Sequence, residues 1–287
     1  MAWNRVCSAL VCGVAANFLS GCGGGGSDNS PSPVVVTTPP TSSPPVSPPP
    51  VATVYPPPPS SITSQTDFVL LGSFASADFK PTLSVGDISL RWLGQPATYW
   101  LKIDGVGEGN LQQNSATDPA LRMIDSSGQS LLTGIDIPRP PGRYAGVLAR
   151  YADPTFRVAF GTATSPTSLP TTGSRAYRNV QGDVGHEVRI NVDFANRQIS
   201  GNIDIAWADA WGPYTPTTYP FTPTAIATGS TEFALAINIP GAPSPGQLIG
   251  RFAGPNGEEL MVTWRAEIKS PYDESWVPYG GIKILGS

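Results

Sequence analysis

The sequence predicts an all-β fold, placed behind an export signal and a long unstructured tether. Three observations carry the fold class. Glycine and proline, 31 and 32 of 287 residues, punctuate the chain too often for long helices. β-Branched and aromatic residues crowd the gaps between them. Several of those gaps alternate apolar and polar residues with a period of two, the mark of a strand with one face buried and one wet. Half-wet antiparallel sheets joined by hairpins close as sandwiches or barrels.

The chain opens Met1-Ala2-Trp3-Asn4-Arg5, with one positive charge, and continues in an uncharged apolar run, residues 6–18. That run is too short to span a bilayer as a mature helix and reads as a secretory signal over residues 1–21. It stops at Leu19-Ser20-Gly21-Cys22, which resembles the lipobox of bacterial lipoproteins. The small residues admit a peptidase and the thiol of Cys22 receives the lipid; the competing reading is an ordinary signal cleaved near Gly21 beside an incidental cysteine. The stretch beyond Cys22 favours the lipid. Residues 22–65 are, after the cysteine, four glycines and then a Pro/Ser/Thr/Val tract that opens with Asp28 as the single charge before Ser60. Such a composition builds no core. Proline-rich chain extends at about 3.1 Å per residue, so this tether reaches up to roughly 100 Å. Cys7 and Cys12 fall inside the signal, so the mature domain has no free thiol for a disulfide, a cysteine-ligated metal or a cysteine nucleophile. The net charge of −4 is mild, and no nucleic-acid partner is expected.

Residues 66–155 form an N-terminal β region, with strands expected over 68–74, 87–92, 98–103 and 144–151. Asp118-Pro119-Ala120-Leu121 is suited to cap one turn of helix. The glycine-rich stretch from Asp104 to Asn110 carries two acids that would suit weak calcium binding, but it matches neither EF-hand spacing nor a phosphate loop and reads as a turn. A boundary near Pro154 separates this region from residues 156–287. There the clearest strand is 187–194, with Val188, Ile190, Val192 and Phe194 inward. Across a short break, 198–205 is its hairpin partner. Ile190→Asp is expected to cost several kcal/mol, and Arg189→Asp on the wet face roughly 0.5 kcal/mol or less. Later strands are expected over 232–239 and 259–268, the second with Leu260, Val262, Trp264, Ala266 and Ile268 inward. Arg189, Asp193, Asp204 and Arg265 fall on the outward parity, which argues against a membrane-spanning barrel.

Three segments, Leu169-Pro170-Thr171-Thr172-Gly173-Ser174-Arg175-Ala176-Tyr177, Val192-Asp193-Phe194 through Ile199-Ser200-Gly201, and Gly250-Arg251-Phe252-Ala253-Gly254-Pro255-Asn256-Gly257-Glu258-Glu259-Leu260, resemble in content and spacing the C-terminal barrel of transferrin-binding protein B-like surface lipoproteins. The resemblance covers roughly residues 156–287. It implies an eight-stranded antiparallel β-barrel with a filled interior, preceded by a smaller, handle-like β region. It also implies a lipidated protein, displayed outside the outer membrane by a dedicated translocator, that binds proteins or small ligands and is not an enzyme. Met261-Val262 stands where the family continues into paired glycines, and the tail from Ile282 to Ser287 is atypical of it.

Catalytic groups are sparse. His186 is the single histidine and reads as a solvated turn residue, with no nucleophile elbow to accompany it. Glu258 and Glu259 are adjacent, so on a strand they would point to opposite faces and cannot flank one bond. No cofactor and no metal are expected. The residues that suit recognition lie in the long segment between the strands ending near Trp207 and starting near Thr231, where Trp211, Tyr214, Tyr219 and Phe221 gather. Trp and Tyr dominate binding hot spots, and the intervening prolines limit the entropy lost on docking. These four rings either form a partner-binding rim or pack back as a private lid. The functional expectation is a lipid-anchored, cell-surface binding protein of the outer membrane, in keeping with Gly23 after the cysteine. A periplasmic carboxylate hydrolase and a purely structural envelope lipoprotein are the alternatives.

Overall fold

The computed structural model describes residues 58–74, 80–94, 96–114, 118, 120–137, 142–179, 186–206, 216–270 and 272–287. The signal, Cys22 and most of the tether lie outside these residues. The first sheet contains β1 (Thr66–Asp67), β2 (Val69–Gly72), β3 (Ile88–Trp92), β4 (Tyr99–Ile103), β5 (Gly107–Gln113), β6 (Leu121–Ile124), β7 (Ser130–Asp136), β8 (Ala145–Arg150) and β9 (Phe156–Gly161). All pair antiparallel, in the order β1-β3-β4-β5-β6-β7-β8-β9-β2. β1 and β2 are separated by Phe68 alone, yet β1 pairs with β3 and β2 with β9, so the sheet rolls round on itself. Its interior is aromatic: Phe68 meets Phe160 edge to face at 5.0 Å, and Tyr99 meets Trp92 at 5.1 Å. Ile62, at the end of the expected tether, is also buried, and Ser61 donates its amide to the Arg143 carbonyl at 3.1 Å.

Three expectations for this half are corrected. The turn at 104–106 ends where β5 begins, so Gly107 and Glu108 belong to a strand. Asp118 caps no helix: its carboxylate accepts the Ala120 amide at 2.9 Å and leads into β6, because Asx turns compete with helix initiation. β9 pairs with β8 and β2 and belongs to the first sheet, so the chain crosses to the second sheet after Gly161 and not near Pro154.

The second sheet contains β10 (Ser174–Asn179), β11 (His186–Asp193), β12 (Gln198–Ala206), β13 (Pro216–Pro220), β14 (Thr224–Ala225), β15 (Glu232–Ile237), β16 (Gly246–Ala253), β17 (Glu259–Lys269) and β18 (Trp276–Gly286). Its order is β13-β12-β11-β10-β18-β17-β16-β15, with β14 added on β12. The two ends of that eight-strand path meet. Asn238 donates its amide to the Pro220 carbonyl at 3.0 Å, and Thr222 donates to Ala236 at 3.0 Å. The result is an eight-stranded antiparallel barrel, closed on its β13–β15 seam.

Alternation decides what fills it. Val188, Ile190, Val192, Ile199 and Ile203 are fully buried in the barrel interior, while Arg189, on the opposite parity, pairs outside with Asp204 at 2.6 Å and with Glu187. Opposite Ile190 the strands approach so closely that a Cβ at Gly201 would lie 2.0 Å from the Arg189 carbonyl oxygen, and Gly201 has a φ of 150° that other residues rarely adopt.

The two sheets meet along β8, β9 and β2 on one side and β16, β17 and β18 on the other. Small residues, Ala145, Ala159 and Ala253, let the backbones approach, and Met261 and Ile282 fill the remaining space. This is why β17 is buried on both faces over most of its length, unlike an ordinary half-wet strand. Polar bonds cross the junction as well. The Glu259 carboxylate accepts the amides of Arg143 at 2.5 Å and Tyr144 at 2.8 Å, and the Phe74 amide donates to Thr263 Oγ1 at 3.3 Å. A groove of about 520 Å³ runs along this junction, with Arg157 and Thr263 as polar lining.

Candidate functional site

The barrel has two unlike ends. At the near end, the three segments that carry the family resemblance converge. Tyr177 donates its hydroxyl to the Gly257 carbonyl at 2.5 Å, and Arg175 donates to the same carbonyl at 2.8 Å. Phe252 packs against both Tyr177 and Phe194 with ring centroids 6.1 Å apart. Burial pushes the Tyr177 hydroxyl up to about 12, against the opposing influence of Arg175, so it stays a neutral donor. This end is closed by its own side chains.

The far end is where β10 gives way to β11, β12 to β13, β15 to β16 and β17 to β18. Of the four aromatic candidates, Trp211 and Tyr214 lie outside the described residues. Tyr219 lies opposite Ile203 on β13, half-buried against the barrel core. Phe221 is only 3 % exposed, pairs with Ile237 at the closing seam and is a core residue, not a displayed contact. Its inward parity on the seam strand, invisible without the pairing register, is the physical reason. A cleft of about 260 Å³ opens at this end, lined by Pro245, Arg265, Glu267 and Tyr279 among others.

His186 is not a solvated turn residue. It starts β11 on the inward parity of Val188 and Ile190, and its ring stands edge-on to Trp264 at 5.5 Å and to Tyr279 at 6.0 Å. Burial holds its pKa below the ordinary 6.5, so the folded state keeps the ring neutral. A depressed value means that its contribution to stability is complete above about 6.5 and is lost as pH falls through the folded-state value. His186→Phe is therefore expected to reduce the loss of melting temperature between neutral pH and pH 5, measured by thermal unfolding. An unchanged pH profile would show that the ring is solvated after all.

The two adjacent acids separate as their positions dictate. Glu258 turns onto Asn256, accepting its backbone and side-chain nitrogens at 2.9 Å, while Glu259 is buried in the junction. They do not face a common cleft. Among the described residues no group of three His, Cys, Asp or Glu side chains gathers as metal ligands, and no helix is long and apolar enough to cross a membrane.

No protein-family model matches the chain, and no curated protein matches it in sequence. Solved structures do. A double mutant of transferrin-binding protein B from Haemophilus parasuis Hp5 is 13 % identical, with a TM-score of 0.36, over 69 % of this chain and 50 % of that one. Isotype 1 transferrin-binding protein B from serogroup B Neisseria meningitidis is 14 % identical, with a TM-score of 0.33, over 70 % of this chain and 52 % of that one. The chain thus spans about half the length of the structures it is similar to. At this identity and TM-score the likeness says nothing of what this chain binds.

Proposed function

We propose that the protein is an exported binding module, anchored to the outer membrane through acylated Cys22. The Gly- and Pro-rich stretch after Cys22 carries its two sheets away from the membrane, and a protein or small-solute ligand is captured at the far end of the barrel. The observation that supports this reading is the asymmetry of the barrel. Its near end is sealed by Tyr177, Arg175 and Phe252, and one flank is occupied by the first sheet through Glu259 and the alanine-lined junction. The far end is the face assigned to a partner, with Tyr219 among its contacts and, from the sequence, Trp211 and Tyr214 as further candidates; Phe221 is buried in the seam. A host factor or an iron- or haem-related solute is the ligand class that the sequence resemblance suggests, and a surface lipoprotein translocator would deliver the domain to it.

Anchoring and capture are tested separately. Cys22→Ala should move the protein from the membrane to the soluble fraction while its thermal unfolding is unchanged, because several acyl chains on one cysteine supply the attachment. Full retention in the membrane fraction would refute the lipobox. Protease shaving of intact cells should remove the domain if it is displayed at the surface. For capture, the purified protein is incubated with serum and, separately, with haemin. Trp211→Ala and Tyr219→Ala should each abolish what the unaltered protein retains, with melting temperature preserved. A fall of several degrees with capture intact would make these rings a lid.

A further inference from the structure

The groove of about 520 Å³ at the junction of the two sheets has fixed walls. Its floor is the end of β2 with Phe74 and, beside it, Arg157 and Val158 of β9. Residues 81–85 form one wall. The Thr82 amide donates to the Thr155 carbonyl at 2.9 Å, and Ser84 caps the single turn Val85–Asp87, its Oγ accepting the Gly86 amide at 3.1 Å. Gly72 lets that wall close in, since a Cβ there would stand 3.1 Å from the Cβ of Val85. The other wall is the outer face of the barrel, where Ile249 on β16 lies opposite Thr263 on β17. Within this largely apolar lining one group is out of place. Of the described residues that line the groove, Arg157 alone is charged; its Nε is buried without a hydrogen-bond partner, and among the described residues it forms no ion pair. Native interiors almost always satisfy such a donor. A second donor is close by, because the Thr263 hydroxyl accepts the Phe74 amide at 3.3 Å and keeps its own hydrogen to give. The charge of Arg157 also reaches Lys283, which is 8 % exposed: burial first, and Arg157 second, pull that ammonium down to about 8. An anion beside Arg157 would ease the repulsion between the two cations.

We propose that this groove binds an amphipathic carboxylate, its head held by the guanidinium of Arg157 and its apolar body lying between Phe74, Leu83, Val85 and Ile249. Charge and lining together select this class. A guanidinium presents parallel N–H groups that match the two oxygens of a carboxylate, and charge-assisted bonds of this kind are stronger than neutral ones. Apolar walls with a few placed polar groups are the usual anatomy of a small-molecule site, and about 520 Å³ lies within the usual range for one. A hydrophilic anion would leave the apolar walls uncovered, and an apolar ligand without a head would leave Arg157 unanswered. None of the lining residues belongs to the aromatic segment around β13, so the site stands or falls independently of capture at the far end.

The test is a calorimetric titration of the full-length protein, prepared without lipid in detergent-free buffer, with sodium decanoate below its micelle concentration. Sodium acetate supplies the carboxylate without the apolar body, and decyltrimethylammonium the apolar body with the opposite charge. Decanoate should bind saturably, one molecule per chain, and raise the melting temperature, whereas the other two should do neither. Arg157→Met should weaken the binding at least about tenfold, the loss expected for a charge-assisted contact. Ile249→Trp, which fills the groove from the outer face of the barrel, should abolish it, with circular dichroism reporting an intact fold. Equal binding of decyltrimethylammonium, uptake of decanoate without saturation, or an unchanged midpoint in either folded variant overturns the proposal. The comparison of the three probes on the unaltered protein is decisive by itself should a variant fail to fold.

Discussion

Ile190→Asp is expected to destabilise the protein by about 4 kcal/mol or more, because it places an unpaired carboxylate where the exposure is zero, inside the hydrophobic core of the barrel. The adjacent residue is the control. Arg189 faces out, but it holds Asp204 and Glu187 at once, with its side chain about 30 % exposed. Substituting Asp there breaks both pairs and sets a third carboxylate beside the two that remain. Exposed ion pairs contribute modestly and like charges across strands oppose pairing, so the cost of Arg189→Asp is roughly 1 to 2 kcal/mol. This is above the value expected from parity alone, since parity cannot see the cross-strand partners. Urea unfolding of the two variants decides it. Equal losses would mean that the register of β11 is reversed.

Glu259→Leu should cost about 2 to 4 kcal/mol, and the effect should be concentrated at the junction of the two sheets. The carboxylate accepts the amides of Arg143 and Tyr144, and an apolar replacement of similar size leaves both donors buried without acceptors. Amide exchange at Tyr144 should accelerate strongly while exchange at Val192, deep in the barrel, follows only the global loss. Unchanged exchange at Tyr144 would show that the carboxylate does not hold these amides.

The same group sets a pH dependence. Burial raises the pKa of Glu259 above the ordinary 4.5, outweighing the lowering by the amides of Tyr144 and Arg143. A raised value means that its favourable contribution is complete below about 4.5 and declines as pH rises through the folded-state value. The stability of the unaltered protein relative to Glu259→Gln should therefore fall across the mildly acidic range, opposite in sign to the effect of His186.

Much of the barrel was legible in the sequence because it obeys a local rule. Residues 187–194 and 198–205 alternate strictly, and they are β11 and β12, paired from His186↔Ile205 to Asp193↔Gln198. Leu260, Val262 and Trp264 point inward as their parity requires. Strands with broken alternation were not legible. β16 and β18 are rich in glycine, and β5 begins with Gly107-Glu108-Gly109, so neither period nor propensity marks them. His186 was misread for a related reason. A preceding glycine looks like a turn, and only the closed barrel shows that the next residue's ring is wedged between Trp264 and Tyr279.

The sequence by itself determined the all-β class, the strand parity of the second half and the absence of any cysteine after Cys22, because composition and period act over a few neighbouring residues. Only the tertiary structure decided the rest: that β1 and β2 close the first sheet from opposite edges, that β9 belongs to that sheet, and that β17 is covered on both faces. It also buried Phe221 in the seam, joined Glu259 to amides more than a hundred residues away, and set His186, Trp264 and Gly281 side by side. These depend on which strands pair and which outer faces meet, and such contacts join residues too far apart in the chain for any local pattern to record.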